Sequence, residues 1–315
     1  MTITKDSIRR AADRIRPFIH KTPLLTCSSL DELIGATIFF KCENFQKTGS
    51  FKIRGAVNAV FSLTEEEARK GVATHSSGNH AAALSYAANL RGIEATIVMP
   101  QNAPSVKKMA VERCGARIVL CEPTQKARQE TLEEIARESG ASVIHPYNNE
   151  LVMAGQGTAA LEIMEEVPDL DVVVAPVSGG GLLSGTAVAV SETNPATRIF
   201  GAEPENADDA RRSLKTGKIV ACKNPRTIAD GLRMSLGEKT FPVIQRYVED
   251  ILTVSEEGII RGMRLIWERM KTVVEPSGAV PLGVLLEKSE FFSGKRIGVI
   301  LSGGNVDLDR LPWIR

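Results

Sequence analysis

The sequence predicts an α/β protein: two open, mostly parallel sheets flanked by helices, in a large and a small domain packed about a cleft. Three observations predict it. Short Val/Ile/Leu runs alternate with helix-length segments along most of the chain, the pattern of crossover units. The runs are continuously apolar, as suits strands covered on both faces. The richest Gly/Ser turns follow such runs directly, at the strand ends where parallel sheets bind ligands. With 315 residues the chain has room for two domains.

The elements follow in order. Residues 1–20 are amphipathic and helical up to Lys21-Thr22-Pro23, and Ala36–Cys42 is a short buried strand. Gly49 to Asn58 leaves a loop and enters a helix. Thr64 with Glu67 three residues on forms a capping box, and Gly71 stops that helix. Then comes a regular alternation: strand Val72–His75, helix Ala81–Leu90, strand Ala95–Met99, helix Pro104–Arg113, strand Arg117–Leu120, helix Thr124–Glu138, strand Ser142–His145. A second stretch repeats the habit with strands Asp171–Val177, Arg198–Glu203, Ile251–Val254 and Arg296–Leu301, and a helix Glu256–Lys271.

Composition excludes several classes. Lys+Arg is 39 against Asp+Glu 38, so no charge excess draws the chain to nucleic acid or an anionic membrane. Its apolar runs are strand-sized, far short of the ~20 residues that span a bilayer. Met1 to Arg10 is polar and mixed in charge, unlike a secretory leader. Five cysteines (Cys27, Cys42, Cys114, Cys121, Cys222) with no CxxC pair make neither a disulfide framework nor a zinc site. The expectation is a soluble, cytoplasmic protein. His20, His75, His80 and His145 are scattered along the chain without HExxH spacing, so they read as structural or pocket-lining.

Three segments carry chemistry. Ser178-Gly179-Gly180-Gly181-Leu182 lies between an apolar strand and a helix. Glycines there let the backbone approach an anion, and the helix N-terminus favours a phosphate. Ser184 breaks the GxGxxG pattern, no GxxxxGK[ST] occurs, and no GxSxG elbow is present, which disfavours nicotinamide, P-loop and hydrolase readings. Lys52, in Ser50-Phe51-Lys52 at a loop-to-helix turn, is a surface lysine or, if desolvated, an amine able to attack carbonyls. Ser76-Ser77-Gly78-Asn79-His80, at a strand end and helix start, has more polar groups than a helix cap needs and could hold a carboxylate.

Taken with Gly49–Ala56 and Ser302-Gly303-Gly304-Asn305, these motifs occur in an order that resembles the pyridoxal-phosphate enzymes of the tryptophan-synthase-β fold type, in the serine/threonine dehydratase and serine racemase family. The resemblance runs from about Lys21 to Leu308. Phe39–Glu43, Thr227–Gly231 and Trp267–Lys271 are most similar to its racemases. It implies a homodimeric enzyme that racemises serine and dehydrates L-serine and L-threonine to 2-oxo acids and ammonia. The alternatives are a threonine/serine ammonia-lyase with little racemase activity and a 3-hydroxyaspartate dehydratase. The latter is disfavoured by Leu232-Arg233-Met234-Ser235 in place of a glutamine-rich segment. Residues 1–70 and 149–315 would form the large cofactor-binding domain, and 71–148 the small substrate-binding one.

Roles follow from the same resemblance. Lys52 would bind pyridoxal 5'-phosphate covalently and act as base on the α-proton. Gly179, Gly180, Gly181 and Leu182 would hold the phosphate. Phe51, Asn79, Gly231, Glu275 and Ser302 would surround the ring, with Asn79 at its 3′-oxygen and Ser302 at its nitrogen. Ser76, Ser77, Asn79, His80 and Arg128 would bind the substrate. Ser77 would also serve as the second proton donor, because inversion needs a donor on each face. Glu203, the Ala207 carbonyl and Asp209 match a site for Mg²⁺ (or Ca²⁺/Mn²⁺), whose hard oxygen ligands suit such cations; by composition alone this is a solvated acidic loop. Met234 replaces a substrate-contacting serine. Lys47, Thr48, Asn79, Lys271 and Asn305 match a nucleotide effector site, whereas Ala82 and Cys114 depart from it, so ATP activation is not expected. Isoleucine feedback is not expected either, since the chain stops shortly after Asn305.

Overall fold

The structure, a computed structural model, describes residues 3–103 and 105–313. Pro104, where one helix was expected to begin, lies outside them, as do Met1 and Thr2. The strands are β1 (Leu24–Leu25), β2 (Thr37–Cys42), β3 (Val72–His75), β4 (Ala95–Pro100), β5 (Arg117–Cys121), β6 (Ser142–Val143), β7 (Val172–Pro176), β8 (Arg198–Pro204), β9 (Asp250–Val254) and β10 (Arg296–Leu301). The helices are α1 (Lys5–Ile15), α2 (Ser28–Ile34), α3 (Lys52–Val60), α4 (Glu65–Arg69), α5 (Asn79–Arg91), α6 (Ser105–Arg113), α7 (Gln125–Ser139), α8 (Glu150–Glu166), α9 (Gly181–Ser191), α10 (Asp209–Thr216), α11 (Phe241–Tyr247), α12 (Glu256–Leu265), α13 (Pro276–Glu287) and α14 (Ser289–Phe292).

They form two sheets, ordered β1-β2-β10-β7-β8-β9 and β5-β4-β3-β6. Only the β1–β2 pairing is antiparallel among the described strands. The larger sheet is apolar on both faces because alternate residues serve different cores. Val172 and Val174 pack with Ile38, Phe40 and Val299, while Val173 packs with Ile163, Val188 and Ile199. No described helix is long and apolar enough to cross a membrane.

Three helices meet almost backbone to backbone. A Cβ on Gly185 of α9 would lie 2.4 Å from the Met153 carbonyl oxygen of α8, and one on Gly155 of α8 would lie 2.6 Å from the Arg54 carbonyl oxygen of α3. Only glycine fits at such distances. This seam fixes the start of α3, which carries Lys52, against the start of α9, which carries the glycine loop.

A buried ionic network strengthens it. Arg54 is fully buried, and its guanidinium bonds Glu43 at 2.7 and 2.8 Å and Glu162 at 2.7 and 2.9 Å. Thr158 accepts a further bond at 3.0 Å, and Lys41 closes the group on Glu162 at 2.6 Å. Burial alone would raise the Glu162 carboxyl, but Arg54 and Lys41 beside it hold it below the usual range.

Several boundaries differ from the sequence expectation. The first helix ends at Ile15 rather than near residue 20, because Pro17 cannot continue it. The strand expected at Ser142–His145 is confined to Ser142–Val143; the Ile144 N–H still bonds the Ala73 carbonyl at 2.9 Å, and the chain then turns at His145. The helix expected at Glu256–Lys271 gives way to a π-helical turn over Ile266–Met270 and ends with Lys271 at φ 55°. The capping box of Thr64 and Glu67 and the stop at Gly71, φ 77°, are as expected.

Candidate active site

Lys52 opens α3. The preceding backbone is stitched to the C-terminal end of β10: Ser50 bridges Gly303, and the Phe51 N–H donates to the Ser302 carbonyl at 3.0 Å. The Lys52 Nζ donates to the Pro146 carbonyl at 3.0 Å and stands 5.0 Å from the Phe51 ring centroid. Burial lowers its pKa to about 8, with Glu275 opposing the shift. The amine is therefore partly neutral, and nucleophilic, near neutral pH.

The Ser76–His80 segment joins β3 to α5. Asn79 donates to both Glu275 carboxylate oxygens, at 2.9 and 3.2 Å, and accepts from the Asn305 amide at 3.0 Å. Glu275 occupies the N-cap position of α13 without a side-chain cap bond, is buried, and donates its N–H to the Gly303 carbonyl. His80 is buried with Nε2 3.0 Å from the Ile144 carbonyl; a carbonyl only accepts, so Nε2 bears the hydrogen. Its Nδ1 is buried without a partner. Burial, then Lys52, lowers this imidazole to about 3. Ser76 and Ser77 are half-buried at the same edge, and Ser302 is buried.

The glycine loop follows β7. Gly180 adopts φ 91°, and α9 begins at Gly181 with no side-chain cap. An uncapped, buried helix start leaves backbone N–H groups for an anion. A Cβ on Gly179 would come within 2.4 to 2.5 Å of the Tyr147 ring. The Gly179 carbonyl accepts from Thr240 at 2.7 Å, and Ser178 locks Met234 through its N–H at 3.0 Å and its carbonyl at 3.2 Å. Gly231 is held by its N–H to Ser277 at 3.0 Å.

Several expected residues are thus linked: Phe51 to Ser302, Asn79 to Glu275, and Lys52 near both Glu275 and His80, with the glycine loop joined to them through the Pro146-Tyr147 turn. Arg128 lies near His75, where its charge adds to burial in lowering that imidazole. Glu203, Ala207 and Asp209 form a separate group at the end of β8. The Glu203 carboxylate accepts the N–H groups of Ala210 at 2.9 Å and Arg211 at 3.0 Å. Asp209 is buried with Oδ2 unpartnered. Lys271 and Asn305, of the expected effector set, line a shallow hollow of about 320 Å³ with Asn44 and Gly49.

Three of the four histidines, far apart in the chain, come together in space: His75 and His145 rings lie 5.9 Å apart, and His80 sits close enough to both for their charges to lower it further, while His20 stands apart beside Phe45 and Gln46. The sequence reading missed Pro146 and Tyr147. Their position just past a parallel strand end was the available signal.

A half-buried amine of lowered pKa at one helix start suits attack on a carbonyl, and an uncapped glycine-rich start of another helix suits an anion. The family model described as pyridoxal-phosphate dependent enzyme matches residues 15–303, and the chain belongs to that family. It is 52% identical to a β-hydroxyaspartate dehydratase of Paracoccus denitrificans over 98% of both chains. The crystal structure of serine racemase from Dictyostelium discoideum superposes with a TM-score of 0.94 at 48% identity, covering 98% of this chain and 100% of that one. The maize serine racemase structure superposes with a TM-score of 0.96 at 46% identity, covering 98% and 95%. A threonine deaminase crystal structure superposes with a TM-score of 0.93 at 44% identity, covering 97% and 99%. The chain is a pyridoxal-phosphate dependent enzyme of the amino-acid racemase and ammonia-lyase class.

Proposed function

We propose that the chain racemises serine and also dehydrates L-serine and L-threonine. The observation that carries this reading is the Lys52 amine at the start of α3, its pKa lowered to about 8 with Glu275 nearby, and on a different element the half-buried Ser77, two residues from the Asn79 that bonds Glu275. Pyridoxal phosphate fits the residues present: the uncapped cradle at Gly179–Leu182 for its phosphate, Lys52 for its aldehyde, and Asn79, Gly231, Glu275, Ser302 and Phe51 for its ring. When bound, it draws electrons from the substrate α-carbon and makes the α-proton acidic.

The protein groups do the rest. Ser76, Ser77, Asn79 and His80 hold the substrate carboxylate, with Arg128 at the entrance. Lys52 takes the α-proton on one face. For racemisation, Ser77 returns a proton to the other face. For dehydration, the β-hydroxyl leaves as water, and the released enamine hydrolyses to pyruvate and ammonia. The test is one tube of L-serine with added cofactor, assayed for D-serine and pyruvate together, beside a tube of L-threonine. D-serine accumulating alongside pyruvate upholds the reading; keto acids without D-serine leave only an ammonia-lyase.

A second reading, dehydration of 3-hydroxyaspartate, is favoured by one feature. Arg128 lies near enough to His75, in the strand leading to Ser76–His80, for its charge to lower that imidazole, so a second substrate carboxylate there would find a cation in Arg128. A parallel tube of 3-hydroxyaspartate decides it: ammonia release faster than from L-serine supports this reading.

The Glu203 group suits Mg²⁺ (or Ca²⁺/Mn²⁺) in a structural role. Among the described residues no three His, Cys, Asp or Glu side chains converge on one point, so the third donor would be the Ala207 carbonyl. The unpartnered Asp209 Oδ2 is the observation that favours a cation there. Residues 1–70 with 149–315 as the cofactor-binding domain, 71–148 as the substrate-binding domain, a homodimeric assembly and a cytoplasmic location belong to the same proposal.

A further inference from the structure

The hydrogen bond from Lys52 to the Pro146 carbonyl fixes where the free amine stands, and something must fix the carbonyl. That carbonyl lies in the turn His145-Pro146-Tyr147-Asn148. The His145 side chain closes the turn: its Nδ1 accepts the Tyr147 N–H at 3.3 Å and the Asn148 N–H at 3.0 Å. A ring nitrogen that accepts two amide hydrogens carries no proton, so the imidazole is the Nε2–H tautomer. Asparagine closes turns in the same way through its side-chain oxygen. The imidazole is clamped edge to face, by Tyr147 at 4.5 Å and His75 at 5.9 Å between centroids. Asn148 is tied on its far side, its Oδ1 accepting the Lys239 N–H at 2.8 Å.

We propose that His145 is a positioning residue for Lys52. By accepting the Tyr147 and Asn148 N–H groups it aims the Pro146 carbonyl at the Lys52 amine. The proposal rests on Lys52 being the reacting amine. With one N–H engaged by Pro146, the neutral amine keeps its lone pair directed elsewhere, towards the proton it must take. Without the turn the amine rotates freely, and misplacements of about 1 Å cost on the order of a hundredfold in rate.

The test compares wild-type holoenzyme with two variants. His145→Phe keeps a ring for the edge-to-face contacts but has no acceptor. His145→Asn loses the imidazole but keeps an acceptor for the turn. Hydrogen exchange of the Tyr147 and Asn148 amides should speed up by about tenfold or more in His145→Phe and return towards wild type in His145→Asn. The kcat for L-serine should fall about 10- to 100-fold in His145→Phe with KM little changed, and recover in His145→Asn. Two results overturn the proposal: His145→Asn protecting the amides yet remaining as slow as His145→Phe, or KM rising with kcat intact, which would make His145 a substrate contact. If His145→Phe does not fold, His145→Asn alone decides between recovery and loss. Borohydride reduction followed by peptide mass spectrometry checks the underlying reading separately. Cofactor trapped on Lys52 in all three proteins keeps that reading, and a trap elsewhere sinks both.

Discussion

Gly179→Ala places one methyl group where the structure has none to spare. The new Cβ would stand 2.4, 2.4 and 2.5 Å from three Tyr147 ring atoms, about 1 Å inside ordinary contact. The ring cannot swing away freely. Its backbone N–H is held by His145, and its own Cβ lies 3.0 Å from where a Gly181 Cβ would be. Overpacking of this kind costs about 1–3 kcal/mol. If the cost falls on the phosphate cradle, cofactor affinity drops about 5- to 150-fold. The assay is a spectrophotometric titration of apo-protein with pyridoxal phosphate. The same substitution in a Tyr147→Ala background should cost far less, giving a coupling of about 1–3 kcal/mol in the double-mutant cycle. Equal losses in both backgrounds, or unchanged binding in the single variant, would refute the steric argument.

Other outcomes follow from the same structure. Arg54→Met leaves Glu43 and Glu162 buried and poorly paired, and should destabilise the fold by about 3–5 kcal/mol in denaturant unfolding; a loss under about 1 kcal/mol would show that the network is loosely held. Stability should decline on acidification. His80 and His145 have folded pKa values of about 3 and about 4, against 6.5 unfolded. Above pH 6.5 both states are neutral at these rings. Below it only the unfolded chain takes up the protons, so each ring subtracts up to about 1.4 kcal/mol per pH unit until its folded pKa is reached. The Glu203 carboxyl, pushed up to about 8 by burial, works in the opposite direction over the same range, so the comparison is with His145→Asn: a wild-type pH slope between about pH 6.5 and 4.5 no steeper than that variant's would contradict this. Removing divalent cations with a chelator should lower Tm, and Mg²⁺ at about a hundredfold excess over its Kd should restore about 2.7 kcal/mol; an unchanged Tm removes the assignment at Glu203 and Asp209.

What the sequence made legible was local. Strand-and-helix alternation from Val72 onward showed because each element is short and its signal lies within it. The glycine loop, Lys52 and the Ser76–His80 segment showed because each sits on consecutive residues. Helix α8 did not show, since it is buried on nearly every side and contains Gly155 and Gly157, so no amphipathic stripe marks it. Helix α13 hid for the same reason, with Pro281 inside it. The network of Lys41, Glu43, Arg54 and Glu162 and the meeting of His75, His80 and His145 draw on residues far apart in the chain. Only the packing of α3 against α8, and of β3 beside β6, brings them within reach.

The most direct test of the central account is Ser77→Ala assayed with L-serine against wild type, with D-serine and pyruvate measured in the same tube. If Lys52 and Ser77 serve opposite faces, D-serine formation collapses while pyruvate formation survives far better. If both products fall in equal proportion, Ser77 only binds substrate, and the two-face account is contradicted.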